Sequence, residues 1–291
     1  MSLIHCLLLW MLLFYPGPAL AETWLEPLTG MEFILVPGGS FLRGQSDAEK
    51  VILIREMGDK RYGKYCAGER PRRQVTVSDF WLSRSEVSNA AFRHFRPGHD
   101  SGVYKELSLN GEQQPVVEVS WEDAQAFTCW LSKVCGRDCR LPTEAEWEYA
   151  CRAGQDEDIF RGDAANAALC VYANVADLSA KKLWPAWAVA TCDDGFPVAA
   201  PVGSLAANSL GLYDMLGNVW EWCSDWYDPD YYEKGPRQDP QGPASGRFRA
   251  VRGSCWDSEP RYVRAAGRNY RRPDSRGYGF GFRVAITVAN P

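Results

Sequence analysis

Histidine is scarce in this chain, and an excess of positive charge is absent. Only three of the 291 residues are histidines, so sites built on several histidines are excluded. The 37 acidic residues outnumber the 32 basic ones, which gives a net charge of −5. Nucleic-acid binding needs a basic surface, so that function is not expected. With 46% hydrophobic and 24% charged residues, the composition is that of a globular protein.

Charged residues are also missing from the first 21 positions, which contain no Lys, Arg, Asp or Glu. An apolar core from Leu7 to Tyr15 is followed by Pro16-Gly17-Pro18 and by the small residues of Ala19-Leu20-Ala21. This pattern predicts a secretory signal peptide over residues 1–21, with an uncleaved anchor as the alternative. No later apolar run approaches membrane-spanning length. We therefore expect a periplasmic mature chain without a transmembrane helix, in the periplasm itself or peripheral to a membrane.

The cysteines contain no C-x-x-C pair, and no histidine lies near two of them, so a zinc site is not indicated. Of the ten cysteines, Cys6 lies in the predicted signal peptide, which leaves nine. This number suits an oxidising compartment and favours structural disulfides for most of them. Because nine is odd, at least one thiol stays unpaired or bridges to a partner.

Local patterns predict one compact α+β domain with little regular secondary structure. Ser120 and Thr143 each carry the signature of a helix N-cap, with an acidic residue three positions later. Residues 31–41 are typical of a strand, a Gly-Gly turn and a returning strand, and residues 74–82 alternate as one half-buried strand. After residue 151, we expect mostly loop until a closing strand over 282–288.

Six segments together resemble the formylglycine-generating-enzyme family, also called sulfatase-modifying-factor domains. They are, in chain order, Glu86-Val87-Ser88-Asn89, PVVEVSW (115–121), RLPTEAEWEYACRAG (140–154), GLYDMLGNVWEW (211–222), VRGSCW (251–256) and GFRVA (281–285). The resemblance implies a fold related to C-type lectins. It covers residues 31–288, so we expect a signal peptide (1–21), an N-terminal extension (22–30) and one sulfatase-modifying-factor domain (31–288).

The resemblance also implies structural calcium. Hard cations take several oxygen ligands from carboxylates, amides and backbone carbonyls. The residues at matching positions form two sets. The first set comprises Glu86, Asp214, Gly217, Val219 and Glu221, and the second comprises Asn174, Val175, Asp194 and Phe196. The glycine, the two valines and the phenylalanine would contribute backbone carbonyls. Solvated or helix-capping carboxylates are the alternative interpretation.

Catalysis is where the sequence departs from the family. Members of the family oxidise a substrate cysteine with O2 and copper(I), which two active-site cysteines hold, because soft thiolates suit copper(I). Residues 257–264, which follow the GSCW motif, contain no cysteine, and only Cys255 lies nearby. Neither copper nor formylglycine formation is therefore expected. If another chemistry has replaced it, the candidate catalytic residues are Glu259, Asp257 and Cys255.

The inherited ligand groove is expected at Trp220, Ser254, Cys255 and Trp256. Six arginines follow it between residues 261 and 276. They could clamp an anionic ligand or, the interpretation we favour, pair with internal carboxylates. Arg264 and Arg268 match family arginines and are expected to be structural.

Two functions remain open. The first is a non-catalytic binding or regulatory protein in the periplasm, similar to the TagR-like branch of the family. Those proteins act upstream of a transmembrane threonine kinase that controls type VI secretion, so a kinase ectodomain is a candidate partner. The alternative is a copper-independent oxidoreductase that tailors a secreted peptide or siderophore, as in the PvdO-like branch. That hypothesis predicts that Glu259 or Asp257 is buried in a concave site beside Trp220.

Overall fold

The computed structural model describes residues 22–155 and 168–288, so the predicted signal peptide lies outside the described residues. The helices are α1 (Asp47–Met57), α2 (Asp59–Tyr65), α3 (Asn89–Phe95), α4 (Trp121–Cys135), α5 (Glu144–Arg152), α6 (Leu178–Leu183) and α7 (Tyr231–Lys234). Two 3-10 helices span Ala67–Glu69 and Pro260–Tyr262.

Strands are short, and most belong to two sheets. Their bounds are β1 (Thr23–Leu25), β2 (Glu32–Val36), β3 (Gly39–Arg43), β4 (Arg73–Val77), β5 (Phe80–Ser83), β6 (Val103–Tyr104), β7 (Leu107–Ser108), β8 (Cys139–Arg140), β9 (Trp220–Trp226), β10 (Arg249–Arg252), β11 (Asn269–Arg271), β12 (Phe280–Gly281) and β13 (Ala285–Thr287). One sheet has the order β1-β2-β5-β13-β8 and the other β11-β10-β9-β12, while β3-β4 and β6-β7 form two-stranded sheets.

The two predicted helix starts are confirmed as capping boxes. The Ser120 hydroxyl accepts from the backbone N–H of Asp123, and the Asp123 carboxylate accepts from the backbone N–H of Ser120. Thr143 and Glu146 make the same reciprocal pair at the start of α5. Each such cap is worth about 1 kcal/mol. Helix α4 ends at Gly136, which adopts the left-handed conformation that favours glycine.

Two local predictions were wrong. Strands β2 and β3 both begin within residues 31–41, but they do not pair with each other, because β2 joins the five-stranded sheet and β3 pairs with β4. Residues 74–82 form two strands, separated at Ser78-Asp79, rather than one. The described part of the chain after residue 151 is mostly loop, as predicted, although it contains the whole four-stranded sheet. The closing strand β13 (Ala285–Thr287) is shorter than the predicted 282–288. The predicted extension contributes β1, which pairs with β2.

A buried ion network joins distant parts of the chain beside α5. Glu144 is ion-paired with Arg43, Arg252 and Arg268, and Glu148 with Arg252. All five side chains are at most 2% exposed. Because its charge partners outweigh burial, the pKa of Glu144 falls to about 2. The network therefore keeps its charges at any physiological pH.

The structure contains a disulfide between Cys170 and Cys192, and it places Cys66, Cys129, Cys135, Cys139, Cys223 and Cys255 as thiols. The sequence predicts disulfides for most cysteines; in the described residues the structure contains the one between Cys170 and Cys192. Among these residues, no helix combines the length and the hydropathy needed to cross a membrane.

Candidate functional site

Three buried carboxylates converge at the start of β9. Glu86 follows β5, Asp214 lies in the loop before β9, and Glu221 is its second residue; each is at most 3% exposed. Glu221 accepts two bonds from Arg283, at 2.6 and 2.7 Å, and one from the indole N–H of Trp147 at 2.8 Å. Arg283 is the only cation that contacts this group within the described chain, so three carboxylates face one arginine.

Because the carboxylates are buried and outnumber the cations here, the pKa values of Glu86 and Asp214 are raised. Burial, together with the charges of Asp214 and Glu221, raises the pKa of Glu86 well above its usual range. Burial raises the pKa of Asp214 to about 6. A cation bound near these carboxylates would offset the penalty, because hard cations take oxygen ligands. The described residues whose ligand atoms lie within 4.8 Å of one another are, however, Cys170, Asp177 and Asp194, and the three carboxylates of the first predicted set are not gathered so closely.

A turn at Gly217-Asn218 connects the first set with the second. Both residues have positive φ angles, 78° and 56°. The Asn218 amide nitrogen donates to Glu86 at 2.7 Å, and its oxygen accepts from the side chain of Asn174 at 3.2 Å. The backbone N–H of Asn218 donates to the Asn174 carbonyl at 2.7 Å. The two candidate cation sets are thus neighbours that share one hydrogen-bond network.

Asn174 carries the clearest sign of a missing ligand in the second set. Its side-chain oxygen is buried and accepts no hydrogen bond from the described residues, whereas its nitrogen donates to the Val198 carbonyl at 3.0 Å. Buried polar atoms almost always have partners. A buried amide oxygen without a hydrogen-bond donor is able to coordinate a hard cation.

Asp194 completes the second set. Its carboxylate accepts from the backbone N–H groups of Val175 and Phe196, at 3.2 and 2.7 Å, which brings those residues next to it. Burial, and then the neighbouring charge of Asp177, raise the pKa of Asp194 to about 7. Cys170 also lies within reach of both aspartates, but its sulfur is committed to the disulfide. The oxygen ligands gathered here are the carboxylates of Asp177 and Asp194, and the prediction did not include Asp177. Val175 and Phe196 turn their backbone N–H groups, and not their carbonyls, toward Asp194.

Cys255 is a buried thiol next to a carboxylate. It is 4% exposed and donates to Asp257 at 2.9 Å, while Asp257 also accepts from the Tyr278 hydroxyl at 3.2 Å. Burial and the Asp257 charge raise the pKa of Cys255 well above its usual range. Its sulfur lies within hydrogen-bond distance of side-chain oxygen atoms of Asp257 and Ser258. One protonated thiol does not fit the two-thiolate copper(I) site.

Glu259 is placed differently from the alternative that makes it a catalytic base. Its side chain is 32% exposed and pairs with Arg261 at 2.9 Å and with Arg61 at 3.9 Å. It is therefore neither deeply buried nor free of cations. Asp257 is half-buried and already accepts two hydrogen bonds.

A groove with a cavity volume of about 760 Å³ runs past Trp220, and we call it the Trp220 groove. Its walls come from α2, the following 3-10 helix, the loop after β10, and β11. Six of its lining residues are aromatic, namely Tyr65, Trp220, Tyr227, Phe248, Tyr262 and Tyr270. The wall formed by α2 is held in place by Arg61, which donates to the Tyr262 hydroxyl at 2.9 Å.

Of the four predicted groove residues, the structure places Trp220 on the groove surface and the other three in the interior. Ser254, 1% exposed, donates to the Tyr262 carbonyl at 2.8 Å. Trp256 is completely buried and packs against the stacked pair Trp184–Trp187. These three residues support the groove from behind.

Among the described residues, some of the arginines between residues 261 and 276 pair with internal carboxylates and at least one does not. Arg264 and Arg268 are structural, as expected: Arg264 pairs with Glu69 at 2.6 Å and Arg268 with Glu144 at 2.7 Å. Arg271, by contrast, bonds to no carboxylate of the described residues; it donates to the Asn269 side chain and the Tyr270 carbonyl.

Sequence reasoning missed the wall formed by α2, because residues 47–65, which form α1 and α2, contain none of the family motifs. One signal was available: Ser46 and Glu49 form a capping box, which marks the start of α1. The aromatic residues that face the groove from this wall, such as Tyr65, follow no periodic pattern.

Residues 21–288 match the sulfatase-modifying factor enzyme 1-like domain, and the chain belongs to this family. The α+β fold predicted from the motifs is confirmed.

The similar proteins carry different names, and they include an enzyme, a kinase and PvdO. The chain is 42% identical to the formylglycine-generating enzyme of Streptomyces coelicolor, over 93% of this chain and 92% of that protein. It is 30% identical to the serine/threonine-protein kinase pkn1 of Chlamydia caviae over 88% of this chain, although the match covers 38% of the kinase. The structure of PvdO from Pseudomonas aeruginosa is similar with a TM-score of 0.73 and 26% identity, covering 94% of this chain and 100% of PvdO.

Proposed function

We propose that this protein is a non-catalytic binding or regulatory protein of the periplasm, built on the sulfatase-modifying-factor scaffold. The observation that carries the proposal is the chemistry around Cys255. Its thiol is buried and donates to Asp257, and the segment after it supplies Asp257 and Glu259 instead of a second cysteine. The groove remains, with Trp220 and other aromatic side chains on its surface, so a binding site is retained without the copper ligands.

Calcium is proposed as the structural ion of this scaffold. The Asn174 set and the Glu86 set would hold it, and its role would be to fix the loops that precede β9. Support comes from the unpartnered Asn174 oxygen and from three carboxylates that face one arginine. Copper has no part in this proposal.

The proposed partner is a membrane protein, and a kinase ectodomain involved in type VI secretion control is the specific candidate. The similarity to a protein named as a serine/threonine kinase supports an association of this domain type with kinases. Affinity capture from periplasm plus membranes, with and without a calcium chelator, tests the proposal. Recovery of a membrane-protein ectodomain supports it.

A parallel assay tests the absence of catalysis. The protein is incubated aerobically with copper(I) and a sulfatase-type peptide that contains a cysteine, and the peptide mass is followed. We expect the peptide to stay unchanged and the protein to retain no stoichiometric copper. Formation of formylglycine would overturn the proposal.

A copper-independent oxidoreductase is the second candidate, and the pair of hydrogen bonds onto Asp257 is the observation that favours it. A carboxylate that accepts from both a thiol and a phenol is placed for proton transfer. The variant Asp257→Asn would then abolish turnover of a recovered peptide or metabolite while leaving the fold intact. Capture of a partner that is insensitive to this replacement supports the binding protein instead.

A further inference from the structure

We infer that the Trp220 groove binds an acidic peptide segment of the partner protein. This inference rests on the proposed binding function and adds the chemical class of the ligand. It depends on the charge and the aromatic character of the groove surface, and on which of its cations already have partners.

The groove is basic although the whole chain is acidic. Its lining contains five basic side chains and a single carboxylate, Glu69, whereas the net charge of the chain is −5. Arg264, Arg268 and Arg61 each have a carboxylate partner, so the local surplus of positive charge is that of Lys64 and Arg271. Such a patch raises the encounter rate with negatively charged ligands and disfavours positively charged ones.

Two of the five cations are free to contact a ligand. Arg264 and Arg268 are committed to buried carboxylates, and Arg61 lies 3.9 Å from Glu259. Lys64 is exposed; its ammonium group lies 4.8 Å from the centroid of the Tyr65 ring and interacts with the Tyr65 hydroxyl, and no carboxylate of the described residues pairs with it.

Arg271 is the second available cation. It is half-buried, with its guanidinium 5.0 Å from the ring of Phe280. Within the described residues, a single guanidinium nitrogen of Arg271 is engaged, in bonds to Asn269 and to the Tyr270 carbonyl. The remaining N–H groups of the guanidinium can donate to a carboxylate in the groove.

The aromatic side chains favour a peptide as the source of the carboxylates. Tyr65 and Tyr270 are 47% and 41% exposed, and the half-buried Trp220 lines the same groove. Exposed rings of this kind pack against the apolar parts of a peptide at low cost in side-chain entropy. The ligand we expect combines Asp or Glu residues with apolar or aromatic ones.

The peptide is expected to bind through its side chains and not as an added strand. Strand β11 is at the edge of its sheet, but the backbone N–H of Tyr270 donates to the Asn269 side chain and its carbonyl accepts from Arg271. These bonds occupy the polar groups that strand addition would need.

The test measures binding of fluorescein-labelled peptides to the full mature chain by anisotropy. The probe alternates glutamate with tyrosine, and the control peptide alternates lysine with tyrosine. We expect the acidic peptide to bind at least tenfold more tightly, and its binding to weaken as salt rises. Equal binding of the two peptides overturns the inference, as does stronger binding of a polygalacturonate probe, which would indicate an anionic sugar.

Charge-reversal variants locate the site. Lys64→Glu and Arg271→Glu should each weaken binding of the acidic peptide at least tenfold. Lys133→Glu is the matched control, because Lys133 is also an exposed lysine in the last turn of a helix but lies outside the groove. An equal loss in all three variants overturns the inference. Arg271→Gln provides a second reading should Arg271→Glu fold poorly.

The same variants separate this inference from the proposed function. If Lys64→Glu and Arg271→Glu capture the membrane partner as well as the unmodified protein does, the acidic-peptide inference is wrong and the binding function stands. If the unmodified protein binds the acidic peptide but also converts a sulfatase-type peptide, the proposed function is wrong and the groove specificity stands.

Discussion

The backbone of Asn174 fills the space that a side chain at Gly217 would occupy. A Cβ atom at Gly217 would lie 2.1 Å from the Asn174 carbonyl oxygen, far inside contact distance. The obstacle is backbone, which cannot rotate away as a side chain can. Close packing at this point brings the two candidate calcium sets together.

The variant Gly217→Ala should destabilise the protein by about 3 kcal/mol, from a left-handed φ angle and from the clash together. Gly136→Ala is the matched control, since Gly136 is also left-handed but has open space around it. Its cost should be about 1 kcal/mol. Urea unfolding of both variants measures the difference, and equal losses would show that the clash relaxes without cost.

Calcium affinity should depend on Asp194 and not on its neighbour. Replacing Asp194 by Asn removes a charge from the second calcium set, so calcium binding measured by calorimetry should weaken at least tenfold. Asp193→Asn is the control, because Asp193 is exposed and pairs with Lys182 and Ser179 instead. Similar affinities in the two variants would contradict the assignment of this set.

The free energy of unfolding should fall as pH rises, because Asp225 loses a proton that the folded state holds. Burial, and then the charge of Glu144, raise the pKa of this fully buried carboxyl to about 7. Its unfolded value is about 3.9, so the folded state holds the proton more tightly and loses stability between about pH 4 and pH 7.

In Asp225→Asn, this slope of unfolding free energy against pH should shrink, because Asn does not titrate and can still accept from the Glu144 N–H, which donates to Asp225 at 2.9 Å. Asp230→Asn, at an exposed site paired with Lys234, should keep the original slope. Chemical unfolding at several pH values measures both. An unchanged slope in Asp225→Asn would refute the assignment.

Cys135 and Cys139 should form a disulfide in an oxidising compartment. Their sulfur atoms are 3.4 Å apart at the junction of α4 and β8. Burial raises the pKa of Cys139, so Cys135 is the thiol that attacks the disulfide of a thiol oxidase, which leaves as a dithiol.

The new bond should lower the protein mass by that of two hydrogen atoms and stabilise the fold by about 2 kcal/mol. Cys135→Ser should prevent both effects, whereas Cys129→Ser, at an exposed thiol, should not. Alkylation of both Cys135 and Cys139 after oxidation would contradict the prediction.

The sequence predicted the parts of the fold that depend on local signals. The capping boxes at Ser120 and Thr143 mark their helices because the bonds close within three residues. The partner of β3 could not be predicted, because the pairing with β4 depends on where the five-stranded sheet places β2. Long-range choices of this kind leave no periodic signal in the chain.

The candidate site was predictable where motifs carry it and not elsewhere. Asp214 and Glu221 stand in a conspicuous motif, and the structure brings them together with Glu86. The burial of Ser254 and Trp256 was not predictable, because the depth of a residue behind a groove depends on neighbours such as Trp184 and Trp187. Lys64 and Arg271, the two available cations of the groove, lie outside every family motif.

The ion network at Glu144 draws its arginines from residues 43, 252 and 268. A fragment that stops before residue 252 would bury this carboxylate with one partner in place of three, at a cost no short segment can recover. Synthesis of nearly the full chain must therefore precede stable folding. Heat or denaturant should melt the molecule in a single cooperative transition, with no half that survives alone.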